Sequence, residues 1–178
     1  MILKTERLIL RPWREEDSKD LYEHAKKPNV GPIAGFPPHK NVEKSLEVIK
    51  NVLSKNINYA IILKETNKAI GSIGILIGKK SSLAKNNEEG EIGYWIAETY
   101  WGQGLMPEAV KEIIRYAFQD LKLLTLWCGY YEGNKKSKRI QDKCGFKYDH
   151  TEKDKLVPLL NERRNEITTK LTKIEWIK

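Results

Sequence analysis

Cysteine is scarce, with only Cys128 and Cys144 in 178 residues. Two thiols so placed give neither a metal-ligand spacing nor the disulfide framework that staples small secreted domains. Histidine is equally thin: His24, His39 and His150 are scattered and complete no ligand cluster, so no metal is expected. Long apolar runs are missing as well. The longest uninterrupted one is Tyr59–Leu63, five residues, where a membrane span needs about 20. The opening MILKTERLILR interrupts every apolar stretch with a charge, which does not fit a signal peptide. A cytoplasmic protein without a membrane partner is expected. Internal repeats and low-complexity tracts are also lacking.

What is present is a foldable chain. Hydrophobic residues make up 40% and charged residues 31%, which excludes a wholly disordered polymer. The length fits a single domain over residues 1–178. Lys plus Arg outnumber Asp plus Glu by 32 to 24, a net charge of +8. Such a balance favours anionic partners such as phosphates, nucleotides or RNA, although solvated surface lysines explain it equally well. Lys135, Lys136, Lys138 and Arg139 cluster.

The periodicity predicts a mixed architecture. Residues 2–11 alternate and read as a first strand. Asp17 is placed to cap a helix reaching about Lys26. Residues 28–40 hold four prolines and two glycines and read as a loop. Asn41 or a neighbour starts a second helix, with Val42, Leu46, Ile49 and Leu53 at helical spacing. Strands are expected at Tyr59–Lys64, Ala69–Gly78 and Glu91–Ala97, with a polar loop at Lys79–Glu88. The best helix follows: Ala109, Val110, Ile113, Ile114, Ala117, Phe118 and Leu121 form its apolar stripe. Thr125–Tyr131 reads as a strand, then a short helix capped by Asn134 and stopped at Gly145. Final strands are expected near Phe146–Thr151 and Glu166–Glu175. The order β-α-α-β-β-β-α-β-α-β-β gives an α+β fold, a mixed sheet with helices on its faces.

The chemistry concentrates in ETYWGQGLMPEA, between the strand Glu91–Ala97 and the long helix. A glycine-containing turn at a helix start exposes backbone N–H groups beside the positive end of the helix dipole, a setting suited to phosphate. Gly102 and Gly104 let an oxygen come close to the backbone. Neither the P-loop nor the dinucleotide fingerprint fits, since Leu105-Met106-Pro107 supplies no Gly-Lys-Ser/Thr and no third glycine. A tight turn that merely starts a helix is the simpler local reading.

EIGYWIAETYWGQGLMPEAVKEIIRYAF followed by NKKSKRIQDKCGF closely resembles the GNAT acetyltransferase superfamily, in its RimJ/RimL-like branch. The opening TERLILRPWREEDSKDLY and the closing LTKIEW belong to the same resemblance. It implies a mostly antiparallel sheet with a splayed central parallel strand pair, and acetyl-CoA as cosubstrate. It assigns the backbone of Trp101, Gly102, Gln103, Gly104, Leu105 and Met106 to the pyrophosphate, and that of Trp95 and Ile96 to the pantetheine arm. Two positions depart from the family pattern: Trp101 stands where Arg or Gln is usual, and Met106 where Gly or Ala is usual. The Met106 side chain must therefore point away from the phosphate.

Acetyl transfer needs a neutral amine, a stabilised oxyanion and a proton for the leaving thiolate. Glu91 is the candidate base, on the strand face it shares with Gly93 and Trp95; an exposed or ion-paired strand carboxylate is the plain alternative. Asn134 and Ser137 match the branch's Asn-x-x-Ser. Locally they read as a helix cap and a first-turn residue, and by resemblance Asn134 lies at the cofactor and Ser137 acts as proton donor near its sulfur. Tyr130 and Tyr131 are alternative acids. Cys128 as an acyl carrier is disfavoured, since strand cysteines are usually buried and inert.

The branch implies a protein N-terminal α-amine as acceptor. Small-molecule amines and antibiotics remain alternatives, because one fold serves many acceptors. The loop Pro28–Lys40 is expected to border the acceptor side. A basic RNA- or ribosome-associated module and a non-catalytic acyl-CoA sensor are the competing classes; nucleic acid is disfavoured, as no RNA-recognition signature occurs. A homodimer is compatible with the sequence.

Overall fold

The computed structural model describes residues 1–177. Eight strands form one sheet in the order β1-β2-β3-β4-β5-β6-β8-β7. They are β1 (Leu3–Lys4), β2 (Leu8–Pro12), β3 (Ile57–Leu63), β4 (Lys68–Ile77), β5 (Glu89–Ile96), β6 (Thr125–Tyr131), β7 (Lys147–Val157) and β8 (Glu162–Thr172). The helices are α1 (Ser18–Ala25), α2 (Gly31–Ala34), α3 (Val42–Val48), α4 (Leu105–Arg115), α5 (Lys135–Lys143) and α6 (Lys173–Trp176). The expected mixed, mostly antiparallel α+β fold is observed, with the pair β5–β6 parallel.

Two compact units make up the chain. The first comprises Met1–Gly74 and Tyr94–Ala109. Its core gathers Trp13, Leu21, Ala25, Ile49, Ala60, Ile62 and Ala69, with Phe36 and Trp95 packed against them. The single strand expected over 2–11 is two strands. Leu8 donates its N–H to Thr5 Oγ1 at 3.0 Å while Thr5 N–H donates to Leu8 O at 3.0 Å, which closes a turn between them. Asp17 does not cap α1 with its side chain. Its carboxylate turns back to accept both Arg11 guanidinium N–H groups, each at 2.7 Å, and the Arg14 N–H at 2.9 Å. A bidentate charge-assisted pair outcompetes a single cap bond. Asn41 does cap α3, accepting the Lys44 N–H at 2.8 Å, and the helix runs on as a π turn through Leu53. Within the expected loop 28–40 the segment Gly31–Ala34 winds into the one-turn helix α2.

The second unit comprises Ile75–Gly93 and the chain from Val110 onward. The β5–β6 register runs from Glu89↔Thr125 to Ile92↔Cys128. On α4 and the π turn after it, Ala109, Val110, Ile113, Ile114, Ala117 and Phe118 are all almost fully buried, as the 3.6-residue stripe requires. The last strands are longer than their sequence signal. β7 and β8 pair from Lys147↔Lys170 to Val157↔Glu162, with irregularities after Tyr148 and Glu152. Their outer half lacks apolar alternation and is laced instead by charge, Lys155 reaching both Glu152 and Glu166. β8 stops at Thr172, where a reciprocal Thr172–Glu175 capping box starts α6 in place of the expected strand.

No helix among the described residues is long and apolar enough to cross a membrane, and none of their His, Cys, Asp or Glu side chains group into a candidate metal site.

Candidate active site

In the first unit, the segment after β5 makes a 3-10 turn at Glu98–Tyr100, then the loop Trp101–Gly104, then α4. Gly102 and Gly104 both have φ +77°, a left-handed geometry that penalises any side chain. A Cβ added to Gly102 would meet nothing within 4 Å, so the space beside it is open. Outside the regular helix ladder, no backbone acceptor among the described residues takes the N–H of Gly102, Gln103, Gly104, Leu105 or Met106. The α4 N–H groups are the orphan donors of a helix start. Pro107 lies within the first turn, where its missing N–H costs the helix nothing.

The two departures from the family pattern have local explanations. Met106 is 3% exposed and Leu105 2%, so neither side chain projects into solvent from the loop. Trp101 turns its indole N–H back onto Ile96 O at 3.0 Å, and Gln103 Nε2 donates to Thr99 O at 2.9 Å. Neither side chain supplies charge to the loop. Of the two β5 residues, Trp95 packs its ring edge-on to Phe36 at 6.1 Å and its carbonyl closes over Gly71, 2.4 Å from where a Cβ would stand. Ile96 is 7% exposed.

A cation reaches the loop from β1–β2, a place the sequence reading did not consider. Arg7 Nη1 donates to Gln103 O at 3.0 Å. Its Nε and Nη2 hold Glu108 Oε2 at 2.8 and 2.7 Å, and its backbone N–H holds Oε1 at 2.8 Å. Thr5 Oγ1 donates to the same Oε1 at 2.5 Å. Burial alone would raise the Glu108 pKa, but the Thr5 hydroxyl and the Arg7 N–H and guanidinium outweigh it and hold the carboxyl below its ordinary range.

In the second unit, Glu91 is half-buried. Its Oε2 accepts from Ser81 Oγ at 2.7 Å, Ser82 N at 3.1 Å and Ser82 Oγ at 3.4 Å. Donors on one oxygen fix the carboxylate plane, and no described residue donates to Oε1. Two residues on, Gly93 is exposed, and a Cβ there would meet nothing within 4 Å.

Asn134 caps α5, its Oδ1 accepting the Ser137 N–H at 3.1 Å. Ser137 Oγ accepts from Gln141 Nε2 at 3.2 Å, which also donates to Gly129 O at 3.3 Å. Gln141 is 1% exposed, and its Oε1 accepts from Thr169 Oγ1 at 2.7 Å. Ser137 is therefore positioned by a buried amide one helical turn on. The sequence held a signal for this: Gln141 follows Ser137 at i+4 and is an uncharged polar residue in a basic helix. Burial raises the Tyr130 pKa; burial and then Glu166 raise that of Tyr131, so both phenols stay protonated. The Tyr131 ring carries the Arg164 guanidinium at 5.2 Å. Cys128 is 1% exposed, and its thiol donates to Ile92 O at 3.2 Å.

The residues are thus divided: Trp95, Ile96 and Trp101–Met106 in the first unit, Glu91, Asn134 and Ser137 in the second. Around the loop 28–40, Phe36 stands 5.8 Å from His39, whose Nδ1 lies 2.8 Å from Ser45 Oγ. Desolvation, then Lys44, lower the His39 pKa.

Comparison with known proteins places the architecture. Residues 7–147 match the family model for the acetyltransferase (GNAT) domain. The p20 N-acetyltransferase of Bacillus licheniformis, itself uncharacterised, is 31% identical over 126 residues, 68% of each chain. A GNAT-family acetyltransferase from Bacillus anthracis superposes with a TM-score of 0.83 at 22% identity, covering 97% of this chain and 98% of its own. A ribosomal-protein-S5-alanine acetyltransferase from Vibrio fischeri superposes with a TM-score of 0.77 at 18% identity, covering 99% and 98%. A family match over most of the chain, on a sheet with the family's parallel pair and with a bare glycine loop at a helix start, means that the chain belongs to the GNAT acetyltransferase family and is an acetyltransferase.

Proposed function

We propose that the protein transfers an acetyl group from acetyl-CoA to a primary amine, foremost the α-amine of a protein N-terminus. The observation that carries the reading is the row of N–H groups from Gly102 to Met106 without backbone acceptors, at the start of an eleven-residue helix. Such donors, with the helix dipole behind them, fit a diphosphate. The open space at Gly102 gives its oxygens room. Acetyl-CoA is the family's acetyl donor, and the loop suits its linker. By family resemblance, Trp95, Ile96 and Asn134 offer further polar groups to the pantetheine arm.

In the reaction the amine nitrogen bonds to the acetyl carbon and the carbon–sulfur bond breaks. The amine proton passes to Glu91 through Oε1, the oxygen that Ser81 and Ser82 leave open. As the sulfur departs it takes the hydroxyl proton of Ser137, held by Asn134 and Gln141, while solvent returns a proton to Ser137 and Glu91 releases the amine proton to solvent, so that both groups end as they began. An α-amine, with a reference pKa near 8, costs about 3 kcal/mol less to deprotonate at neutral pH than a lysine near 10.4. A single carboxylate base therefore suits the α-amine. The structurally similar Vibrio fischeri protein is a ribosomal-protein-S5-alanine acetyltransferase.

The test is direct. CoA at saturation should raise the melting temperature. With acetyl-CoA, release of free thiol should be fastest on a peptide bearing a free N-terminus, compared with the same peptide N-blocked, a polyamine and an aminoglycoside. Faster turnover of either small amine would replace the proposed acceptor class. No thermal shift with CoA would remove the cofactor.

A further inference from the structure

We propose that Arg7 is a positioning residue that sets the donor geometry of the Trp101–Met106 loop; the inference rests on the reading of that loop as the diphosphate site. The loop has no cationic side chain of its own, and Trp101 gives its N–H to Ile96. Arg7 is a cation that touches it, through Gln103 O at 3.0 Å. A trans peptide carries its C=O and N–H on opposite sides. Holding the Gln103 carbonyl toward Arg7 therefore directs the Gly104 N–H away from Arg7. With φ +77° on both sides of Gln103, glycine backbone would otherwise let that peptide rotate.

Arg7 is itself fixed. Glu108, in the first turn of α4, takes its Nε, Nη2 and backbone N–H, and Thr5 orders Glu108 in turn. One planar fork thus couples the carbonyl of the loop to the helix that follows it. Because Glu108 pairs with the guanidinium, the contribution to the loop is chiefly geometric. Lysine cannot replace it: one ammonium does not span Glu108 and the Gln103 carbonyl as a fork does.

The experiment compares two acetyl donors, acetyl-CoA and S-acetylpantetheine, which lacks the diphosphate, in the wild type, Arg7→Ala and Arg7→Lys, each checked by circular dichroism. Both variants should lower the ratio of kcat/KM for acetyl-CoA to that for S-acetylpantetheine by about ten-fold or more, the size of a lost charge-assisted hydrogen bond. The change should appear in KM for acetyl-CoA rather than in kcat. An unchanged ratio, or an equal loss with both donors, overturns the role of Arg7. Should Arg7→Ala fail to fold, Arg7→Lys decides by the same ratio. A wild-type protein that binds no CoA overturns the reading of the loop itself, an outcome distinct from CoA binding that is indifferent to Arg7.

Discussion

The indole N–H of Trp101 donates to the carbonyl oxygen of Ile96 at 3.0 Å. The bond spans the turn Glu98–Tyr100 and ties the start of the glycine loop to the end of β5. An indole is a donor only, so at this position the side chain serves the backbone. Trp101→Phe keeps a ring and removes the donor. It should destabilise the protein by about 1–2 kcal/mol, a fall in melting temperature of about 2–4 °C per kcal/mol for a chain of this size. Calorimetry of the two proteins checks this, and an unchanged transition would mean that the indole does not anchor the loop.

Glu91 is held by one oxygen and open at the other. Glu91→Gln is nearly isosteric, and its amide oxygen can still accept from Ser81 and Ser82. The variant should therefore melt within about 2 °C of the wild type, since it removes a proton acceptor but no packing. Loss of a general base should lower kcat by about 10²–10⁴-fold. Steady-state rates with acetyl-CoA and the best amine from the acceptor panel give the answer. Retained activity would move the base to a different group or to water.

Much of this was legible in the sequence, and the exceptions share a cause. Asn134, Asn41 and Gly145 were readable because a cap or a helix stop is settled within a few residues; Asn134 accepts from Ser137 and Gly145 has φ +88°. The α4 stripe was readable because burial has a period. Asp17 was misread as a cap because its partner, Arg11, depends on how two segments fold back on each other. The outer half of β7–β8 was underread because charge pairs rather than apolar alternation line it. In the candidate site, the glycine loop had a local signal and Glu91 had one through the family resemblance. Arg7 did not, since it lies 96 positions before the carbonyl it holds, and no local pattern encodes that distance.

The Arg7–Glu108 buckle carries a pH signature. Glu108 has its carboxyl held below an ordinary value of 4.5, so in the unfolded chain it takes up a proton more readily than in the native one. Its stabilising contribution is present above the unfolded pKa and fades as pH falls through the lower, native one. Urea unfolding should give a wild-type midpoint that drops between about pH 5 and pH 3. Glu108→Gln starts from a lower midpoint at pH 7 and should lose less over the same range. Parallel curves would mean that other carboxylates set the acid limb.

Gly93 allows folding and substrate access near Glu91 to be tested separately. It is exposed, its φ is not in the left-handed range, and a Cβ there would meet nothing within 4 Å. Gly93→Ala should shift stability by no more than about 0.5–1 kcal/mol, since an alanine also restricts the unfolded chain. Gly93→Leu adds bulk on the Glu91 face of the strand. If the amine approaches Glu91 across that face, Gly93→Leu should raise KM for the amine by about ten-fold or more while KM for acetyl-CoA stays within about two-fold, a loss of about 1.4 kcal/mol in acceptor binding alone. Initial-rate measurements with each substrate varied in turn separate the two constants. A rise confined to acetyl-CoA would put the donor, not the acceptor, against Gly93, and would remove Glu91 from reach of the amine.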